Sequence, residues 1–143
     1  MNIESLIQNY MSELPEQKRR DLIEIKSLIT GTMIGCKQWF LDGKNEDGKI
    51  VSNPNIGFGS CMIRYADGKS REFYRIGISA NQSGISIYIF GLNSKTELQD
   101  KFGSRLGKAK VSGYCIKFNK LENVNREALQ EMIEWLAGQE IKN

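Results

Sequence analysis

A chain of 143 residues, 40% hydrophobic and 26% charged, is sized for one folded domain rather than two and is too apolar for a disordered chain. Its 20 basic and 17 acidic residues leave a net charge of +3, and the cations run from Lys18 to Lys142 instead of gathering on one stripe, so no nucleic-acid partner is expected. No apolar leader and no apolar run of about 18 residues is present, so no membrane partner is expected either.

Histidine is absent, which removes the commonest general base near neutral pH and the commonest metal ligand. The cysteines Cys36, Cys61 and Cys115 match no zinc or CxxC spacing and read as reduced thiols of a cytoplasmic protein. Without a base or a second thiol nearby in sequence, nucleophilic catalysis has no support. The balance leans away from an enzyme, although sequence order does not show whether two carboxylates converge.

Along the chain, Ile3, Leu6, Ile7, Tyr10, Met11 and Leu14 recur at helical spacing. Pro15 then opens a second helix, with Leu22, Ile25, Leu28 and Ile29 on its buried face and a stop at Gly31. The two make a helical hairpin. A short strand is expected within residues 32–40, around Cys36, Trp39 and Phe40. Residues 41–55, polar and glycine-containing, read as a mobile loop.

Alternation then predicts a three-stranded antiparallel meander. Its strands are Ile56 to Tyr65, Arg71 to Ala80 with Tyr74, Ile76 and Ile78 on one face, and a third through Ile85, Ile87 and Ile89. Asp67-Gly68 marks the first turn and Asn81 to Gly84 the second. Ser94-Lys95-Thr96-Glu97 has the form of a capping box opening a short helix that ends at Gly103. A Lys- and Gly-rich connection leads to a strand at Tyr114 to Phe118. Asn125 caps a last helix whose apolar face is Leu129, Met132, Ile133 and Leu136. The order predicts a single α+β domain over 1–143. It is a two-layer sandwich of one antiparallel sheet, about five strands, with the helical hairpin and the C-terminal helix on one face.

Several ordered strings resemble the YdhG-like family, small bacterial domains mostly of unknown function. They are Leu14-Pro15-Glu16-Gln17-Lys18-Arg19, Ile56-Gly57-Phe58-Gly59-Ser60, Tyr65-Ala66-Asp67-Gly68, Arg71-Glu72-Phe73-Tyr74, Tyr88-Ile89, Leu106-Gly107-Lys108-Ala109-Lys110 and Leu121-Glu122-Asn123-Val124. The resemblance implies a frataxin-like sandwich; the longer branch of the family that this chain resembles has no agreed activity, and the expected reading is a non-enzymatic binding module. Some relatives are described as iron chaperones, so iron is the one cofactor the likeness brings into view. Relatives of this branch often carry His where Met62 and Ala109 stand here, so ring nitrogens are missing at those positions.

Two candidate sites follow. Glu13, Glu16, Asp21 and Glu24 form an acidic helix surface whose carboxylates suit loosely held iron. The same spacing, with Arg20 four residues from both Glu16 and Glu24, also reads as ordinary surface ion pairs. The second is a basic and aromatic sheet-face pocket for a small anion or a peptide carboxylate, built from Trp39, Arg64, Tyr74, Arg75, Lys108 and Lys110. Its competing reading is charge placed to block edge pairing. Gly103-Ser104-Arg105-Leu106-Gly107-Lys108 falls one residue short of a phosphate loop. Cys61 and Cys115 are expected to face the helices as core residues. Gly57 and Gly59 are expected to let Trp39 pack flat on the sheet. The partner is an unknown small molecule or protein, with the exposed sheet face open to a homodimer.

Overall fold

The structure is a computed structural model that describes residues 2–138, so the extreme ends of the expected domain lie outside it. Its helical layer follows from local signals. Helix α1 (Ile3–Ser12) starts where the Asn2 side chain accepts the Ser5 N–H, and it buries Ile7 and Met11. Helix α2 (Glu16–Thr32) follows Pro15, passes the expected stop at Gly31 by one residue, and buries Leu22, Ile25 and Ile29.

Helix α3 (Glu97–Phe102) opens later than the capping box predicts. Glu97 accepts the Asn93 N–H at 3.0 Å, and Thr96 makes no side-chain cap. Helix α4 (Arg126–Ala137) is capped as expected, Asn125 accepting the Ala128 N–H at 3.0 Å.

The strands are β1 (Gln38–Leu41), β2 (Asn55–Phe58), β3 (Cys61–Arg64), β4 (Ser70–Phe73), β5 (Ile76–Asn81), β6 (Gly84–Ile89), β7 (Lys110–Val111) and β8 (Cys115–Phe118). Six of them form one antiparallel sheet in the order β1-β2-β5-β6-β8-β7, against the expectation of about five. The added strand, β7, is two residues long and lies in what the sequence presents as a connection. Alternation sends Ile56, Phe58, Ile76, Ile78, Ala80, Ile85, Ile87, Ile89, Ile116 and Phe118 into one core with the helices. Each such aliphatic or aromatic side chain contributes about 1.5–3 kcal/mol on full burial. Helix α2 lies over β5 and β6, α4 beside α2, and α1 over β1.

Polar ties fix the layers in register. Asp21, 7% exposed, accepts the Leu121 N–H at 3.2 Å and the Gln17 amide at 3.0 Å, joining α2 to a 3-10 turn at Leu121–Asn123. The Tyr10 hydroxyl accepts the Ala80 N–H at 3.0 Å.

The three-stranded meander is corrected. Ile56 to Tyr65 is not one strand: it breaks at Gly59, which adopts φ +75, a conformation glycine takes without strain. The return strand breaks at Tyr74 and Arg75. The outer halves, β3 and β4, pair with each other as a separate ribbon, joined by the expected turn at Asp67-Gly68. The expected loop at 41–55 gives its first residue to β1 and its last to β2, and residues 42–54 form the arm between them. A Lys44–Ile50 bridge and a Val51 N–H bond to the Gly43 carbonyl close it on itself.

Candidate functional site: the outer face of the sheet

Cross-strand registers place Trp39, Gly57, Gly77, Tyr88 and Cys115 in one row across five strands, on the face away from the helices. The two central members lack side chains, and the Tyr74 ring is inlaid in that gap. A Cβ on Gly57 would sit 2.6 Å from Tyr74 Cδ2, and one on Gly77 2.4 Å from Cε1 and Cζ. Phe73 and Phe90 close over the ring, with centroids 4.3 and 5.3 Å from it, and Trp39 meets Phe73 edge-on at 5.9 Å. So Tyr74, not Trp39, lies flat on the glycines. The Trp39 indole instead donates to the Gly59 carbonyl at 2.9 Å, satisfying the backbone where the strand breaks.

Cys61 and Cys115 belong to this outer layer, not to the helix-facing core where they were expected. The Cys61 thiol lies 3.5 Å from the Tyr74 carbonyl, and Cys115 stands opposite Tyr88. Burial pushes both thiols up, with Arg75 opposing the shift at Cys61 and Lys117 opposing it at Cys115. Burial also pushes the Tyr74 hydroxyl up, reinforced by the Tyr88 phenol and the Cys115 thiol beside it. At neutral pH these groups keep their protons, and the Cys61 thiol donates to the Tyr74 carbonyl.

The Tyr74, Phe73 and Phe90 rings cover one part of this face and leave the rest open. A second row runs Ser79, Ser86, Lys117, Lys110 through direct register partners. Lys117 is thrown outward because Ile116 and Phe118 on either side of it point into the core. A cleft of about 660 Å³ opens here, lined by Ser86, Tyr88 and Lys117 and by the amides of Asn53, Asn81, Gln82 and Asn119. Among the described residues no carboxylate lines it. Its far wall is the β5–β6 turn, where Gly84 (φ +144) approaches the Phe118 carbonyl too closely for any Cβ. Among the described residues neither Lys110 nor Lys117 is held in an ion pair.

The expected basic and aromatic residues do not converge. Arg64 is exposed on the ribbon. Arg75, far from being an exposed partner of Arg64, is 1% exposed and donates to the Phe90 carbonyl. Trp39 and Lys110 sit on opposite edge strands of the sheet. Lys108 lies before β7, its N–H bound to the Asn123 carbonyl. Lys110 alone of the six neighbours the open cleft, through Lys117.

The acidic set is likewise dispersed in role. Asp21 is turned inward to Leu121, Glu24 pairs with Arg126, and Glu13 and Glu16 are exposed. Among the described residues no group of three His, Cys, Asp or Glu is placed to share a metal ion.

A second, more apolar cleft of about 1020 Å³ lies where β6 ends, between Phe90, Leu92 and an exposed Tyr114, with Lys95 at its edge. Sequence reasoning missed Ser86, Tyr88 and Lys117. Their outward alternation was legible, but the pairing of Lys110 with Lys117 was not. Among the described residues no helix is long and apolar enough to cross a membrane. No family model, curated protein or solved structure matches the chain.

Proposed function

We propose that this domain is a binding module for a small anion, held on the open half of the sheet's outer face by Lys117 and Lys110. The observation that carries the reading is their register. Two ammonium-bearing side chains stand directly opposite each other on one face, beside a cleft with no carboxylate among the described residues of its lining. Like charges so placed repel and destabilise the pair. An anion between or beside them turns that repulsion into attraction. Tyr88 adds a neutral donor. The thiol of Cys115, kept protonated by burial, offers no nucleophile, so the arrangement favours binding over turnover.

Thermal unfolding at low ionic strength tests this. A ligand that binds the native state alone raises the melting temperature by mass action. Inorganic phosphate, sulfate or citrate is expected to raise it in the wild type and in Arg64→Ala. The shift should vanish in Lys117→Ala and shrink in Lys110→Ala. Equal shifts in all four proteins would mean general salt stabilisation and would overturn the proposal.

A further inference from the structure

Resting on that reading, we infer that the anion is hydroxyl-rich, of the class of sugar phosphates and sugar acids, rather than a bare inorganic ion. The cleft's about 660 Å³ falls within the roughly 300–1,000 Å³ typical of small-molecule sites, and a bare phosphate would leave most of it to water. The lining chemistry is also wrong for an ion alone. A fully deprotonated anion brings acceptors and wants only donors.

Here three exposed amides, Asn53, Gln82 and Asn119, line the cleft together with Lys117. Each amide offers two N–H donors and a carbonyl acceptor. Such a group holds a hydroxyl in both directions, receiving its proton and donating to its oxygen, and two adjacent hydroxyls match one amide.

Asn81 has a different task. Its Oδ1 accepts the Ser83 N–H at 2.9 Å and its Nδ2 donates to Ser86 Oγ at 2.9 Å. It therefore shapes the wall, tied to the buried Ser86 beneath it. The half-buried Tyr88 ring gives an apolar patch for the C–H face of a sugar. The missing carboxylates disfavour cationic sugars, and the lysines favour acids.

Calorimetric titration of the full chain at low ionic strength decides it. The probes are glucose 6-phosphate, ribose 5-phosphate and gluconate, against inorganic phosphate and acetate. At least one hydroxylated anion should bind about tenfold or more tightly than its bare counterpart, because a site built to bond hydroxyls loses affinity when they are missing. The variant Asn53→Ala/Gln82→Ala/Asn119→Ala changes exposed positions alone. It should cost the hydroxylated anion far more affinity than phosphate and so erase that advantage. Equal affinity for hydroxylated and bare anions, or an advantage that survives in the triple variant, overturns this inference and leaves the anion reading intact. No binding of any anion overturns both.

Discussion

The two faces of the sheet are built by opposite means. The inner face is filled: apolar side chains, mostly isoleucine, project from every second position and meet the helices. The outer face is made by omission. Gly57 and Gly77 vacate the middle of a row so that one aromatic ring can lie in the plane the side chains would have occupied. A filled face tolerates exchange among residues of like volume. An inlaid face tolerates no added atom at the two places where nothing stands, yet it leaves the neighbouring strands free to carry polar groups. The same sheet is thereby a core on one side and half core, half cleft on the other.

The largest test of that contrast is Gly77→Ala. Neither Gly57 nor Gly77 has positive φ, so the backbone itself accepts alanine, and the whole penalty comes from the Tyr74 ring. Overpacking of this kind costs about 1–3 kcal/mol. Removing the ring should reverse the sign. In a Tyr74→Ala background the methyl has room, and the loss of unfolded-state freedom makes Gly77→Ala neutral or stabilising by about 0.4–1 kcal/mol. A double-mutant cycle by urea unfolding measures this coupling. Equal costs in the two backgrounds would mean the ring is not inlaid.

A smaller effect separates the faces by pH. Cys61, Cys115 and Tyr74 all lie in the outer layer, and all have their proton loss pushed to higher pH by burial. Above the unfolded-state values, about 8.5 for a thiol and about 10 for a phenol, the unfolded chain binds fewer protons than the native one. The stabilising contribution is therefore whole below those values and is lost as pH rises through the folded ones. Melting temperature should fall across the alkaline range, and Cys61→Ala/Cys115→Ala should flatten the part of the fall that begins near pH 8.5. An unchanged profile in that variant would place the titrating groups elsewhere.

What could be read in advance follows the same division. The inner face was legible because a period of two in Ile85, Ile87 and Ile89, or of three to four in Leu129, Met132, Ile133 and Leu136, is a local statement about which side is dry. The Asn125 cap was legible for the same reason. The outer face depends on where a strand leaves its sheet. The alternation from Ile56 to Tyr65 continues across Gly59, and only the glycine itself, a residue that often marks a bulge within a strand, signals the break. Tyr74, in phase with Ile76 on paper, lands on the opposite face because the chain turns between them. Arg75 reads as a surface cation, yet the ribbon carries it inward to the Phe90 carbonyl. A two-residue strand such as β7 is too short to show a period at all, and with it went the register that sets Lys110 against Lys117.

That register gives the smallest effect and the cleanest separation of binding from folding. Inner-face residues serve stability, so their loss always costs it. Lys117 is held where its charge faces Lys110, at a strand-pair separation of about 4.5–5.5 Å between Cα atoms. Lys117→Gln keeps most of the side chain's length and removes the repulsion, so it should raise stability by a few tenths of a kcal/mol, ~0.3, at low salt. Near 1 M salt the screening length contracts to about 3 Å, and the gain should disappear. Arg64→Gln, on the exposed ribbon, should change little at either salt. The same Lys117→Gln protein should lose its melting shift with phosphate. A variant that is more stable empty and less stabilised by ligand shows the lysine kept against the interest of the fold. A Lys117→Gln protein less stable at low salt would show instead that this side chain packs for structure, and the outer face would then be one more core.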